Sequence, residues 1–81
     1  GGSTFKNPIE GTKKRVWELI RESVPEDTRF GDAKISSKHR NFFINSKNAS
    51  FSEMSELINF VREEVKKKTG ISLDLEIEII K

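Results

Sequence analysis

The sequence predicts a two-layer α+β sandwich, with elements in the order β-α-β-β-α-β and two helices on one face of a small sheet. Three observations carry this reading. Two segments repeat apolar residues at helical spacing. The closing segment alternates strictly between apolar and polar residues. Between the helices lies a run of strand-favouring residues, Phe42-Phe43-Ile44. The chain has 81 residues, enough for one small domain. Hydrophobic residues make up 33% and charged residues 35%, a low apolar share for a folded domain. The apolar residues are clustered and periodic, however, so the reading is a folded domain with a thin core rather than disorder.

The elements follow in order. Ser3 to Lys6 reads as a short strand, closed by Pro8, which restricts Asn7 to extended geometry. The first helix is expected over Lys13 to Ser23, with Thr12 as N-cap. Val16, Leu19, Ile20 and Val24 form its apolar face, with Trp17 beside them, and Pro25 helps to end it. Glu26 to Asp32 reads as a loop around Gly31, and Ala33 to Ile35 as a short strand. A further strand is expected over Arg40 to Asn45, where adjacent Phe42 and Phe43 point to opposite faces. Asn45 to Asn48 is turn chemistry. The second helix opens on a capping box, Ser50 with Glu53. It continues through Met54, Leu57, Ile58, Val61 and Val65, carries Lys66, Lys67 and Lys68 in its last turn, and stops at Gly70. In the last strand Ile71, Leu73, Leu75, Ile77 and Ile79 alternate with Ser72, Asp74, Glu76 and Glu78.

Composition excludes several chemistries. There is no cysteine, so disulfides, thiol nucleophiles and cysteine metal sites are ruled out within the chain. One histidine cannot build a His-rich metal site. No apolar run approaches the roughly 18–20 residues of a membrane span, and no signal-peptide pattern opens the sequence. The net charge is +2, unevenly spread. Residues 1–50 carry ten basic and six acidic side chains, whereas residues 51–81 carry five and seven. Ordinary surface solvation accounts for this, and the sharper reading is an N-terminal half that faces an anionic ligand. There is no phosphate-binding loop, dinucleotide fingerprint or nucleophile elbow. The RNP-type aromatic run and GXXG clamp of RNA-binding modules are also missing, which argues against nucleic acid as partner. Taken singly, Ser3, Lys6, Asn7, His39 and Glu76 are ordinary surface or turn residues.

Their order along the chain is more specific. Gly2-Ser3-Thr4-Phe5-Lys6-Asn7-Pro8 resembles the Gly-Ser-x-Phe-Lys-Asn-Pro motif of the UDP-N-acetylenolpyruvoylglucosamine reductases. Val16-Trp17-Glu18-Leu19-Ile20, Ala33-Lys34-Ile35-Ser36, His39 to Asn45, Asn48-Ala49-Ser50 and Gly70 to Ile77 resemble successive later segments of that family. The resemblance covers essentially the whole chain. It implies that residues 1–81 are the C-terminal, substrate-binding domain of a larger cytoplasmic flavoenzyme, whose N-terminal FAD-binding domains lie outside this chain. It implies an enzyme of peptidoglycan synthesis in which NADPH reduces FAD. The reduced flavin then passes a hydride to the enolpyruvyl methylene of UDP-N-acetylenolpyruvoylglucosamine, and an acid protonates the adjacent carbon. On this resemblance Ser3 is the proton donor, and Glu76 serves the carboxyl and proton-transfer end. Asn7 contacts the nucleotide part, Lys6 adds positive charge near the diphosphate, and His39 falls where some members contact substrate. Gly2-Ser3, which otherwise reads as vector-derived sequence, becomes native. No cofactor is expected on this chain by itself, and the isolated chain is expected to be inactive.

Some positions depart from the family pattern. Glu26-Asp27 stands where many members have Lys-Gly, Asp32 replaces a glycine, Arg40 replaces an alanine, and Glu78 stands where a basic residue is usual. These changes bear on the diphosphate and uridine contacts around residues 26–40. The rival reading is a small α+β interaction module that binds RNA or a protein with its polar sheet face.

Overall fold

The structure, a computed structural model, describes residues 3–6 and 12–76 of the chain. Two helices and a three-stranded antiparallel sheet form a small α+β fold. Helix α1 spans Val16–Ser23 and helix α2 spans Phe51–Thr69. The strands are β1 (Arg29–Phe30), β2 (Ala33–Ile35) and β3 (Phe43–Asn45), in that spatial order.

Helix α1 starts three residues later than the sequence suggests. Arg15, not Thr12, is its N-cap, and the Glu18 carboxylate accepts the Arg15 backbone N–H at 3.0 Å. The Thr12 hydroxyl is used one turn earlier, accepting from the Lys14 N–H. The Glu18 carboxylate thus supplies the reach-back half of a capping box at the start of the helix. The expected loop at residues 26–32 also needs correction, because it contains β1. Phe30 pairs with Ala33 across a two-residue turn in which Gly31 adopts φ 60°. Positive φ at the first turn position suits a tight hairpin, and Phe30 is held from above by the Phe60 ring at 5.7 Å. Strand β3 is shorter than expected, because Arg40 and Asn41 form a turn before it.

Helix α2 matches its sequence signals closely. The Ser50 hydroxyl accepts the Glu53 N–H, and the Glu53 carboxylate accepts the Ser50 N–H, each at 3.0 Å. Gly70 closes the helix at φ 78°, with its N–H on the Lys66 carbonyl. Lys68 at the end of α2 donates to the Ser23 carbonyl at the end of α1 at 2.6 Å, so one cation serves two helix C-termini. Its neighbour Glu64 is held below the usual carboxylate range, first by the hydrogen bond from Lys67.

The core lies where both helices meet the sheet. Val16, Leu19, Ile20 and Val24 face Leu57, Ile58, Val61 and Val65, with Ala33 and Ile35 beneath. The first and last described segments close this core. Phe5 is opposite Leu75 in an antiparallel bridge, flanked by hydrogen bonds from Lys6 N–H to Asp74 O and from Glu76 N–H to Thr4 O. Over residues 71–76 the expected alternation holds, with Leu73 buried and Ser72, Asp74 and Glu76 exposed. Ile77, Glu78 and Ile79 lie outside the described residues, as do Asn7 and Pro8.

Candidate functional site

The terminal ladder brings together residues from the two ends of the sequence. Its register sets Thr4 opposite Glu76 and Lys6 opposite Asp74. Lys6 and Glu76 are both exposed, and Ser3 is half-buried at the head of the ladder. The backbone bends at Thr4 and again at Glu76. Ser3 precedes Thr4 in the chain and Glu76 lies across from Thr4, so both belong to the same end of the ladder. Asn7 lies outside the described residues, so of the five expected site residues the ladder carries Ser3, Lys6 and Glu76.

A turn from His39 to Phe42 docks on this ladder. It is closed by the Phe42 N–H on the His39 carbonyl at 3.0 Å. The Asn41 carbonyl accepts the Thr4 N–H at 2.7 Å. The Asn41 side chain, fully buried, bonds Phe5 at two points. Its Oδ1 accepts the Phe5 N–H at 3.0 Å and its Nδ2 donates to the Phe5 carbonyl at 2.9 Å. In the bridge with Leu75 the Phe5 N–H and C=O point away from the partner segment. The Asn41 carboxamide takes the place of a further strand there.

His39 sits at the junction of this turn with a groove of about 420 Å³. The imidazole Nδ1 accepts the Asn41 N–H at 3.3 Å, and the ring lies 4.4 Å from that of Phe42. Trp17, Arg21, Glu26, Lys38 and Arg40 also line the groove. The Arg21 guanidinium stacks over Trp17 at 4.8 Å from the ring centroid. Arg40 is only 6% exposed. Its Nη atoms donate to the carbonyls of Pro25 and Glu26, both at 3.2 Å, with a longer 3.5 Å contact to Ser36 O. Burial pushes the Arg40 guanidinium below its ordinary pKa, and the Glu26 carboxylate acts against that shift. The Arg40 Nε has no partner among the described residues.

The sequence points to Ser3, Lys6, Asn7, His39 and Glu76; the structure puts Ser3, Lys6 and Glu76 on the ladder and His39 at the groove, and it adds Asn41, Trp17, Arg21 and Arg40 as neighbours that the sequence does not single out as site residues. A signal existed for two of them. Trp17 and Arg21 are four residues apart on a helix and so share a face. Asn41 is a polar residue just before a strand-favouring run, a place where its side chain needs a backbone partner. Glu26 and Arg40 both line this groove. Among the described residues no cluster of His, Asp and Glu is placed to hold a metal ion, and no helix is long and apolar enough to cross a membrane.

Comparison with known proteins shows the family. Residues 1–80 match the family described as UDP-N-acetylenolpyruvoylglucosamine reductase, C-terminal domain. A UDP-N-acetylenolpyruvoylglucosamine reductase of Pelagibacter ubique (strain HTCC1062) is 62% identical over 80 residues, which are 99% of this chain and 26% of that protein. The protein of the same name from Rickettsia bellii (strain RML369-C) is 48% identical, again over 99% of this chain and 26% of its own length. The one from Thermotoga petrophila is 42% identical over 96% of this chain and 27% of its length. The chain thus spans about a quarter of the length of the curated relatives it matches. Its opening Ser3–Lys6 segment, its 39–45 segment and its closing Glu76 all lie within the matched region, and the chain belongs to the C-terminal domain family of the UDP-N-acetylenolpyruvoylglucosamine reductases.

Proposed function

We propose that this chain is the substrate-binding domain of an enzyme that reduces the enolpyruvyl group of UDP-N-acetylenolpyruvoylglucosamine in peptidoglycan synthesis. The rest of the parent protein would hold FAD, which takes a hydride from NADPH and supplies it to the substrate. The observation that carries the reading is the terminal ladder. It pairs the opening segment that carries Ser3 and Lys6 with the closing segment that carries Glu76, across more than seventy positions of sequence.

The chemistry asked of these residues is specific. Hydride addition to the methylene carbon consumes the double bond and leaves electron density on the neighbouring carbon, which bears the carboxylate. Ser3 supplies the proton that completes the new C–H bond there. A serine hydroxyl is a poor acid in water, so it works only when held against that carbon in a site closed to solvent. The half-buried position of Ser3, next to the bend at Thr4, suits this role. Glu76 lies at the carboxyl end of the bound substrate and assists the proton transfer. On this reading Lys6 adds positive charge near the diphosphate, Asn7 contacts the nucleotide part, and His39 contacts the substrate from the groove that it lines with Arg21 and Lys38. On this reading the protein works in the cytoplasm, where its nucleotide-sugar substrate is made, and its other partners are the FAD-binding domains of its own chain.

Ser3→Ala in the full-length enzyme tests the assignment. Flavin reduction by NADPH should stay within about twofold of the native rate. Reoxidation of the reduced flavin by the enolpyruvyl substrate should fall by about 10²–10⁴-fold, the usual worth of a positioned acid. Equal damage to both half-reactions, followed by stopped-flow absorbance, would contradict the proton-donor role.

A further inference from the structure

We propose that Asn41 is a positioning residue for the proton transfer, holding Ser3 through the backbone of Thr4 and Phe5. This rests on the reading of Ser3 as proton donor. Ser3 stands at the head of the terminal ladder, and its place is set by the peptide units that follow it. Among the described residues those units have few other holds. The ladder beyond Phe5 supplies one hydrogen bond at Thr4 O and one at Lys6 N–H. Both face residues 74–76, so they fix the opening segment from one side only.

Asn41 fixes it from the other side. Its main-chain carbonyl takes the Thr4 N–H, its Oδ1 takes the Phe5 N–H, and its Nδ2 reaches the Phe5 carbonyl. Three hydrogen bonds from one residue thus hold the two residues that follow Ser3. All are between 2.7 and 3.0 Å, and Asn41, Thr4 and Phe5 are each at most 1% exposed. Water cannot replace the carboxamide there without rearrangement. The carboxamide is also matched in kind. It offers one acceptor and one donor at the spacing of a peptide group, which a carboxylate or a hydroxyl cannot reproduce. The same residue gives its N–H to His39 Nδ1, so the turn that positions Ser3 also orients the imidazole at the mouth of the groove.

A proton donor that must meet one carbon of a bound substrate is sensitive to small displacements. A shift of about 1 Å can cost on the order of 10²-fold in rate. Removing the carboxamide loosens the Phe5 peptide units and lets Ser3 drift, while the flavin half-reaction proceeds elsewhere in the protein.

The experiment compares Asn41→Ala and Ser3→Ala in the full-length enzyme by stopped flow. For Asn41→Ala we expect NADPH reduction of the flavin within about twofold of native, and a substrate dissociation constant within a few-fold. Reoxidation by substrate should be slowed by about 10²-fold. Reoxidation at the native rate, with Ser3→Ala slowed, overturns the proposal. So does a loss shared equally by both half-reactions, which marks a general structural role. An unimpaired Ser3→Ala enzyme sinks the underlying reading and the proposal with it. If Asn41→Ala does not fold, Asn41→Ser decides on the same criteria. Its hydroxyl retains one small polar group near Phe5, and at least a tenfold slowing of reoxidation is then expected.

Discussion

Arg40 brings a charge into a position that is only 6% exposed. A buried guanidinium is costly unless its donors are used. Here they tie the loop after α1 to the loop before β3, through the carbonyls of Pro25 and Glu26 and the longer contact to Ser36. Arg40 is thus a brace across the floor of the groove. Arg40→Ala should destabilise the chain by about 2 kcal/mol, since each hydrogen bond to a charged group is worth about 1.5–3 kcal/mol and part of the desolvation cost is recovered. Arg40→Lys should restore less than half of that, because an ammonium lacks the planar fork that reaches two adjacent carbonyls. Urea unfolding measures both, and an Arg40→Ala loss under about 0.5 kcal/mol would show the brace to be dispensable. The candidate site residues are unevenly legible in the sequence for a related reason. Ser3, Lys6, His39 and Glu76 were reached through their order in a motif. Asn41 and Arg40 act through backbone groups 14 to 36 residues away, and no local pattern announces such partners.

At the level of elements, legibility follows how local the determining forces are. Helix α2 was readable at both ends, because a capping box and a C-terminal glycine act within four residues of the bonds they satisfy. The start of α1 was misplaced, because Thr12 and Glu18 compete for the cap and only the folded chain decides between them. Strand β1 was missed altogether. Two residues are too short for any periodicity, and the strand exists because Phe30 is packed against Phe60 from helix α2. The locality of the α2 signals makes their energies separable. Ser50→Ala should cost about 1 kcal/mol through the lost cap. Gly70→Ala should cost about 1–2 kcal/mol, because φ 78° is unfavourable for a side chain. A Cβ at Gly70 meets no atom within 4 Å, so that cost is purely conformational and Gly70→Asn should be milder. Thermal unfolding of the three variants checks this, and Gly70→Asn as damaging as Gly70→Ala would contradict a conformational origin.

For the whole molecule, the α+β class was legible and the closure of the fold was less so. The helices and the sheet read from the sequence as two layers, but the route by which the ends meet depends on contacts across the full chain. The opening segment joins the sheet region through Asn41 and the closing segment through the Phe5–Leu75 bridge. Phe5 is completely buried and places its ring edge-on to Phe43 at 5.8 Å. One side chain therefore ties the candidate site to the core. In a chain of this size the total stability is roughly 4–12 kcal/mol. Phe5→Ala should cost about 3–4 kcal/mol, at the low-to-middle part of the range for buried aromatics because the core is thin. That is a large share of the total, and it falls on the contact that closes the longest loop in the fold. Phe5→Leu should keep most of the burial and cost about 1 kcal/mol. If the ladder is part of one cooperative unit, urea unfolding will report the Phe5→Ala loss equally at the backbone-amide resonances of Lys6 and Glu76 and at helix ellipticity. Loss of the ladder with helices still native, seen as separate transitions for the two probes, would instead make the terminal segments an independent flap over the core.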